Sequence, residues 1–377
     1  MVKKRLLLWE TLSTLGGGQQ MTLTIADMLG EQWDILCLIP GEGRLSEELK
    51  KRGIPYVCMG DQTLPAGVKG KSVLFRYGWM SLKNIWKSLA QIRRFRPDVL
   101  YAPGPAALPW SAVCGALTGK PVIWHLHHIF QDGPTKKLLN FCGKWKTVKK
   151  IIAISRCVGE QIASDAKEKL EIFYNPVDCR RFAEGNGVKV RRELEKALDI
   201  SLENRIVVGH IGLIQRMKRQ DFVLSVLKSL RKQGVNAVGL FAGECREQDY
   251  MDELQHQLRS ENLDVLFLGR REDIPDVLKA MDVLLIPSVE GFSLAGEEAA
   301  TAGVPVVACD VAGAAELVEE SGNGLTYPEH DSDSATRAIC EILPNRHENS
   351  SKTKEFVERL DEACYALRIK ELFSNVK

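Results

Sequence analysis

Short, continuous apolar runs alternate along the chain with longer stretches whose apolar residues fall at helical spacing. The first run, Lys4 to Trp9, predicts a strand. Asp34 to Ile39, Tyr56 to Met59, Val99 to Tyr101, Val122 to His125 and Lys150 to Ile154 predict further strands. Runs this uniformly apolar suit a sheet covered on both faces. Helical patterns separate them at Leu45 to Arg52, Trp79 to Phe95, Ala106 to Leu117 and Lys136 to Trp145. Ser155, just after Ile154, is a good N-cap for another helix. The alternation predicts a doubly wound sheet over residues 1–178.

A second series follows the turn-rich linker Glu184 to Gly187. A helix over Val190 to Leu198 precedes strands at Arg205 to Ile211, Ala237 to Ala242, Asp264 to Leu268, Val283 to Ile286 and Val304 to Cys309. These predict a second α/β domain over residues 179–352. The tail, Lys354 to Phe373, is helical by pattern.

Composition narrows the class. With 377 residues, two domains are expected, and 45% hydrophobic with 27% charged residues describes a globular chain. No apolar run approaches the ~18 residues of a membrane span. The opening MVKKRLLLWE has a short apolar run and no small-residue cleavage site, so it predicts a first strand rather than a signal peptide. Ten cysteines without a C-x-x-C pair indicate neither a zinc site nor a disulfide framework, and reduced thiols in the cytoplasm are the simplest expectation.

The formal charge is only +2, but it is unevenly spread. Val68–Arg96 holds eight Lys or Arg and no acid, and Lys136–Lys150 holds six lysines and no acid. A one-sided basic half points to an acidic partner. Within Trp79 to Phe95 the apolar residues Trp79, Leu82, Ile85, Trp86, Leu89 and Ile92 have helical spacing, with Lys83, Lys87, Arg93 and Arg94 on other faces. Two readings stay open: a helix packed on the sheet with a solvated basic face, or an interfacial helix meeting anionic lipid on the inner face of the plasma membrane. No nucleic-acid module is recognisable, so no nucleic-acid partner is expected.

The chemistry concentrates in residues 287–307, PSVEGFSLAGEEAATAGVPVV. A buried strand ends at Pro287, a loop carries Glu290 and Gly291, and an Ala-rich helix stops at Gly303 before the next strand. The ligand end of such a unit lies where the strand's carboxyl end meets the helix N-terminus, whose free N–H groups favour an anion. Glu290 and Glu298, eight residues apart, flank that point. Carboxylates that hold hydroxyls, beside N–H groups that hold phosphate, describe a nucleotide-sugar pocket.

The stretch EGFSLAGEEAATAGVPVVA resembles the signature of the retaining GT-B glycosyltransferases, EGFGLxxLEAxAxGxPVVA. That large family includes bacterial mannosyltransferases and sucrose synthase. The resemblance implies two Rossmann-like doubly wound domains facing a cleft, with a terminal helix, here within 353–377, returning to the first domain. The first domain would bind the acceptor and the second the donor. It implies a nucleotide diphosphate sugar donor, with UDP or GDP as the nucleotide, and a glycan or lipid-linked acceptor in cell-surface polysaccharide or glycolipid synthesis. No cofactor and no metal are expected. An Asp331-Ser332-Asp333 run looks like a metal-binding D-x-D but falls after the last strand and is expected at the surface.

Site residues follow from the same resemblance. Glu298 would hold ribose hydroxyls and Glu290 the donor sugar. N–H groups near Ser293, Leu294 and Ala295 would meet the diphosphate, and Gly291 and Phe292 would belong to the donor nucleotide-sugar site. Gly212 to Lys218 stands where the family has G-R-L-x-x-x-K, whose Arg and Lys clamp the diphosphate. Lys218 matches, but Leu213 stands in place of Arg, and Arg216 is the nearest substitute. Phe267 to Arg270 matches an FLG turn whose backbone meets the base, through Gly269 and Arg270. Asp310 to Glu316 matches DxxGxxE, near phosphates or sugar. In the first domain, Gly16, Gly17, Gly18 and Gln19 match a cleft loop, and His127 falls where a strand-end histidine nears the transferred sugar. His125 shares a strand face with His127 and is expected to pack, as is His128. His127, Lys218 and Glu290 are the catalytic candidates. The missing Arg also prompts an alternative from another class, a non-catalytic nucleotide-sugar or glycan-binding protein on the same frame.

Overall fold

Parallel β-structure fills both halves of the chain. A computed structural model describes residues 3–60, 71–130, 133–345 and 351–376, without the side chains of 71–74 and 345. The chain divides into two compact units, Met1–Tyr174 with Ala363–Lys377, and Asn175–Glu362.

The first unit holds β1 (Lys4–Trp9), β2 (Trp33–Ile39), β3 (Tyr56–Cys58), β4 (Val99–Ala102), β5 (Val122–Leu126), β6 (Val148–Ala153) and β7 (Leu170–Ile172). They form one parallel sheet in the order β3-β2-β1-β4-β5-β6-β7. The order reverses between β1 and β4, where a doubly wound sheet opens a crevice. Leu6 to Trp9 are fully buried because helices cover both faces. β7 was not foreseen: its Leu-Glu-Ile is half-buried at the edge and carries no continuous apolar run. Ser155 caps a helix as expected, accepting from the Val158 N–H at 3.0 Å, but Arg156–Gly159 is only one turn. The helix expected from Trp79 begins earlier, at Lys71. Val68, Lys69 and Gly70 of the basic stretch lie outside the described residues.

The tail is two helices rather than one, Ser351–Leu360 and Glu362–Asn375. The second packs on the first unit's core. Phe373 meets Trp33 and Tyr101 edge-on, at 6.1 and 5.3 Å between ring centroids, and Tyr365 meets Phe173 at 5.6 Å.

The second unit holds β8 (Ile206–Ile211), β9 (Ala237–Ala242), β10 (Val265–Phe267), β11 (Val283–Ile286), β12 (Val306–Cys309) and β13 (Gly324–Tyr327), all parallel in the order β10-β9-β8-β11-β12-β13. Its reversal falls between β8 and β11. Of the D-x-D run, Asp331 caps the helix Ser332–Ile342 by accepting from the Ser334 N–H, and Asp333 accepts from the Ser229 hydroxyl at 2.7 Å.

Candidate active site

At the second sheet's reversal, one buried histidine ties the two central strands. His210, on β8, places Nδ1 3.1 Å from the Leu285 carbonyl on β11. Its Nε2 lies 3.2 Å from the Gln220 side-chain amide, and that amide also donates to the Leu213 carbonyl at 2.9 Å. Burial pushes the His210 imidazole down to about 4, so it stays neutral near pH 7. The trio fixes the path of the loop after β8. It was missed from sequence, although a histidine inside the apolar run Val207 to Ile211 was a readable signal.

That loop delivers Lys218. Its Nζ lies 2.6 Å from Glu290 Oε1, on the loop after β11, and the Ser288 hydroxyl donates to the same oxygen at 2.6 Å. Both charged side chains are largely shielded from solvent, at 25% and 16% exposure, which strengthens their attraction relative to a surface pair. The Glu290 carbonyl accepts from the Gly313 N–H at 3.0 Å. A Cβ at Gly313 would sit 2.0 Å from the Gly291 carbonyl oxygen, so this position of the DxxGxxE stretch needs glycine for the two loops to touch.

The helix Leu294–Ala302 starts three residues later. Ser293 caps it, its hydroxyl accepting from the Gly296 N–H at 3.3 Å. The first-turn N–H groups and the positive end of the helix dipole lie at the carboxyl end of β11. Glu298 is half-buried and has no hydrogen bond or ion pair among the described residues. Burial raises its carboxyl to about 8, with the Arg181 guanidinium opposing. Its neighbour Glu297 is fully buried and accepts from the Asn175 backbone N–H at 2.9 Å and side-chain amide at 2.7 Å. Burial pushes this carboxyl well above the usual range. Two adjacent glutamates thus have different surroundings: Glu297 anchors Asn175, and Glu298 is left with its polar atoms unspent. Nothing in the sequence separated Glu297 from a surface acid.

The remaining donor-side candidates divide. Gly269, at φ +64°, accepts from the Gly243 N–H at 2.8 Å, which joins the turn after β10 to the end of β9. Gly269 and Arg270 are exposed at the carboxyl edge of the sheet. Gly212 lies beside His210 and the Lys218 stem. Arg216 is not brought to this group. Its guanidinium donates to Glu253 at 2.5 Å and Asp249 at 3.1 Å, on the helix Gln248–Glu261, and stacks over Tyr250 at 5.2 Å. Leu213 is half-buried and offers no cation.

In the first unit, Gly16 caps the helix Gly17–Leu29, and Cβ atoms at Gly17 or Gly18 would meet no atom within 4 Å. Gln19 is occupied within the loop. Its carbonyl accepts from the Gly16 N–H at 3.2 Å, and its amide donates to Glu10 at 3.0 Å. Thr22 donates to the same buried carboxylate. His125 is fully buried, with Nδ1 2.7 Å from the Tyr101 hydroxyl. The His127 ring stacks 4.1 Å from that of His125, as expected for one strand face. The Nε2 atoms of both are buried without a hydrogen-bond partner among the described residues. Burial, then the charges of His125 and His128, push His127 well below the usual histidine range.

Two family models match the chain. Residues 15–181 match Glycosyltransferase Family 4, and residues 205–345 match Glycosyl transferases group 1. The UDP-Gal:alpha-D-GlcNAc-diphosphoundecaprenol alpha-1,3-galactosyltransferase of Escherichia coli is 23% identical over 360 residues, covering 89% of this chain and 87% of that one. The capsular polysaccharide biosynthesis glycosyltransferase CapM of Staphylococcus aureus is 24% identical over 282 residues, covering 70% and 71%. Among solved structures, Anabaena HepE in complex with UDP and glucose superposes with a TM-score of 0.80 at 23% identity, covering 99% of this chain and 100% of that one. The lipopolysaccharide outer core galactosyltransferase WaaB gives 0.73 at 15% identity, covering 99% and 100%. At such identities the structural likeness speaks for the fold alone. The two models, one on each half of the sequence, together span most of it, and the chain belongs to the group 1 glycosyltransferases of GT-B fold.

Proposed function

We propose that this protein is a retaining glycosyltransferase. It moves a sugar from a nucleotide diphosphate sugar to a glycan or lipid-linked acceptor in cell-surface polysaccharide or glycolipid synthesis, at the cytoplasmic side of a membrane. The observation that carries the reading is the Lys218–Glu290 contact at the second sheet's reversal, just ahead of a capped helix N-terminus. UDP is the favoured nucleotide, since HepE is seen with UDP and the Escherichia coli relative is named for UDP-Gal.

In this reading the bond between the anomeric carbon and the phosphate oxygen breaks, and its electron pair stays on the diphosphate. The acceptor hydroxyl oxygen bonds to the anomeric carbon on the same face, and its proton passes to the leaving phosphate oxygen. Charge grows on the diphosphate, so Lys218 and the N–H groups of Leu294 and Ala295 stabilise the transition state more than the ground state. Glu290 orients sugar hydroxyls and holds Lys218 in place. Glu298, with its polar atoms unspent, takes the ribose. His127, kept neutral by burial, offers an uncharged ring nitrogen to a sugar hydroxyl.

A second reading, binding without turnover, draws on Leu213 and on Arg216 being held by Glu253 and Asp249. One experiment tests both. A thermal-shift panel of UDP, GDP and ADP should show stabilisation by UDP, about 2.7 kcal/mol at a hundredfold excess over Kd. Glu298→Ala should abolish that shift. Absence of a shift with all three nucleotides would refute the donor site. Binding of the UDP-sugars tried, without hydrolysis or transfer, would favour the second reading.

A further inference from the structure

The helix Lys71–Phe95 exposes an apolar stripe where a helix packed on a sheet should be polar. Phe75, Trp79, Leu82 and Trp86 are 80%, 71%, 62% and 81% exposed. At 3.6 residues per turn these four fall within a sector of about 60°. The opposite side is the packed one. Met80, Asn84, Ser88 and Ile92 are buried there, Ser88 accepts from the Trp9 indole at 2.9 Å, and Tyr77 stacks on Trp110 at 6.3 Å. The stripe is therefore surplus to the core. Three aromatic rings and a leucine expose on the order of 500 Å², more than the scattered apolar residues of an ordinary monomer surface.

The helix Ala107–Thr118 packs against this helix and against Gly133–Gly143. The latter adds exposed Leu138 and Phe141. Cations flank both. Lys83, Arg93, Arg94 and Lys137 are exposed and have no hydrogen bond or ion pair among the described residues. The sequence has no acid from Val68 to Arg96 or from Lys136 to Lys150.

We propose that the helix Lys71–Phe95, with Leu138 and Phe141, docks the first unit on an anionic lipid surface, its aromatic stripe seated among the acyl chains and its lysines and arginines at the headgroups. Trp side chains suit that boundary because one end is apolar and the other polar. A second copy is a poorer occupant. A two-fold contact sets a patch against itself and would press unpaired cations together. No helix among the described residues is long and apolar enough to cross a membrane, so this mode lies on the surface and does not span it. The inference deepens the reading of a lipid-linked acceptor, but its test uses neither donor nor turnover.

The test is flotation of the full chain with phosphatidylcholine vesicles, with and without phosphatidylglycerol, in low and high salt. The protein should float with the anionic vesicles at low salt and be largely released by salt. The double variant Trp79→Ser, Trp86→Ser should lose at least tenfold in bound fraction while keeping its UDP thermal shift. Lys83→Glu with Arg94→Glu should lose binding to anionic vesicles. No flotation at low salt, or flotation of the Trp variant equal to wild type, would overturn the proposal. So would a dimer seen by light scattering without lipid and dissolved by the same Trp substitutions.

Discussion

The two sheets reverse strand order in the same way, yet their crevices hold polar groups in opposite conditions. In the first unit, most polar side chains around the Gly16–Gly18 loop are spent on one another, and the Nε2 atoms of His125 and His127 are left over among the described residues. Gln19 serves Gly16 and Glu10, Thr22 serves Glu10, and Tyr101 serves His125. In the second unit Lys218 meets Glu290, which also accepts from Ser288, and Glu298 has no hydrogen bond or ion pair among the described residues. One arrangement is nearly finished before a ligand arrives, which suits a shaped wall with His127 as its open contact. The other keeps a cation and a carboxyl available, which suits recognition of a diphosphate and of hydroxyls. The fold alone does not say which crevice is reactive; on the proposed reading, the state of the polar groups does.

The sharpest way to break that contrast is Lys218→Ala. If Lys218 stabilises the leaving diphosphate, transfer should fall about 10²- to 10³-fold, the usual cost of one such contact. The melting temperature should change little, since Glu290 retains the Ser288 hydroxyl. A variant that transfers at the wild-type rate would remove Lys218 from the chemistry. Gln19→Ala should give the opposite pattern. It strips a partner from the buried Glu10 carboxylate and from the Gly16 N–H, at about 1–3 kcal/mol of stability, with UDP affinity unchanged. Urea unfolding and UDP titration of both variants decide the point; a Gln19 variant as stable as wild type would show that the first crevice is not held by these bonds.

What could be read from the chain follows the same division. Strands such as Leu6 to Trp9, Ala237 to Ala242 and Val283 to Ile286 were legible because burial on both faces leaves a continuous apolar run. The helix after Glu290 was legible from its Ala-rich run, Glu297 to Ala302, and from Gly303 that stops it, although it starts earlier, at Leu294, behind the Ser293 cap. β7 was not, because an edge strand of Leu-Glu-Ile carries no period. At the site, Glu290, Lys218 and Glu298 stood out through register with a family signature. The supports did not. Asn175 on Glu297 joins residues 122 apart in sequence, which no local pattern encodes, whereas His210 with Gln220 and Ser288 on Glu290 are 10 and 2 apart and went unread. Arg216 shows the converse error. Its spacing suggested a substitute for the absent Arg at Leu213, but the acids of Gln248–Glu261, far along the chain, hold it elsewhere.

The remaining prediction tests the physical state of the unspent carboxyl. Burial raises the Glu298 carboxyl to about 8 in the folded protein from an ordinary value of 4.5. A carboxyl raised by folding favours the native state below its unfolded value. That advantage is lost as pH rises through the folded value, because the unfolded chain ionises first and more easily. The window here runs from about 4.5 to about 8. The first crevice has the reverse sign. His125 is pushed by burial down to about 3 from 6.5, so its contribution is present above 6.5 and lost as pH falls through 3. Urea midpoints measured from pH 5 to pH 9 should therefore decline more steeply for wild type than for Glu298→Gln, whose amide cannot ionise. A saturating nucleotide whose ribose hydroxyls bond to this carboxyl should alter the slope in wild type and leave that of Glu298→Gln unchanged. Parallel pH profiles for the two proteins, with and without nucleotide, would mean that Glu298 is already solvated and ionised, and the contrast between a finished and an unspent crevice would then rest on Lys218 and Glu290 alone.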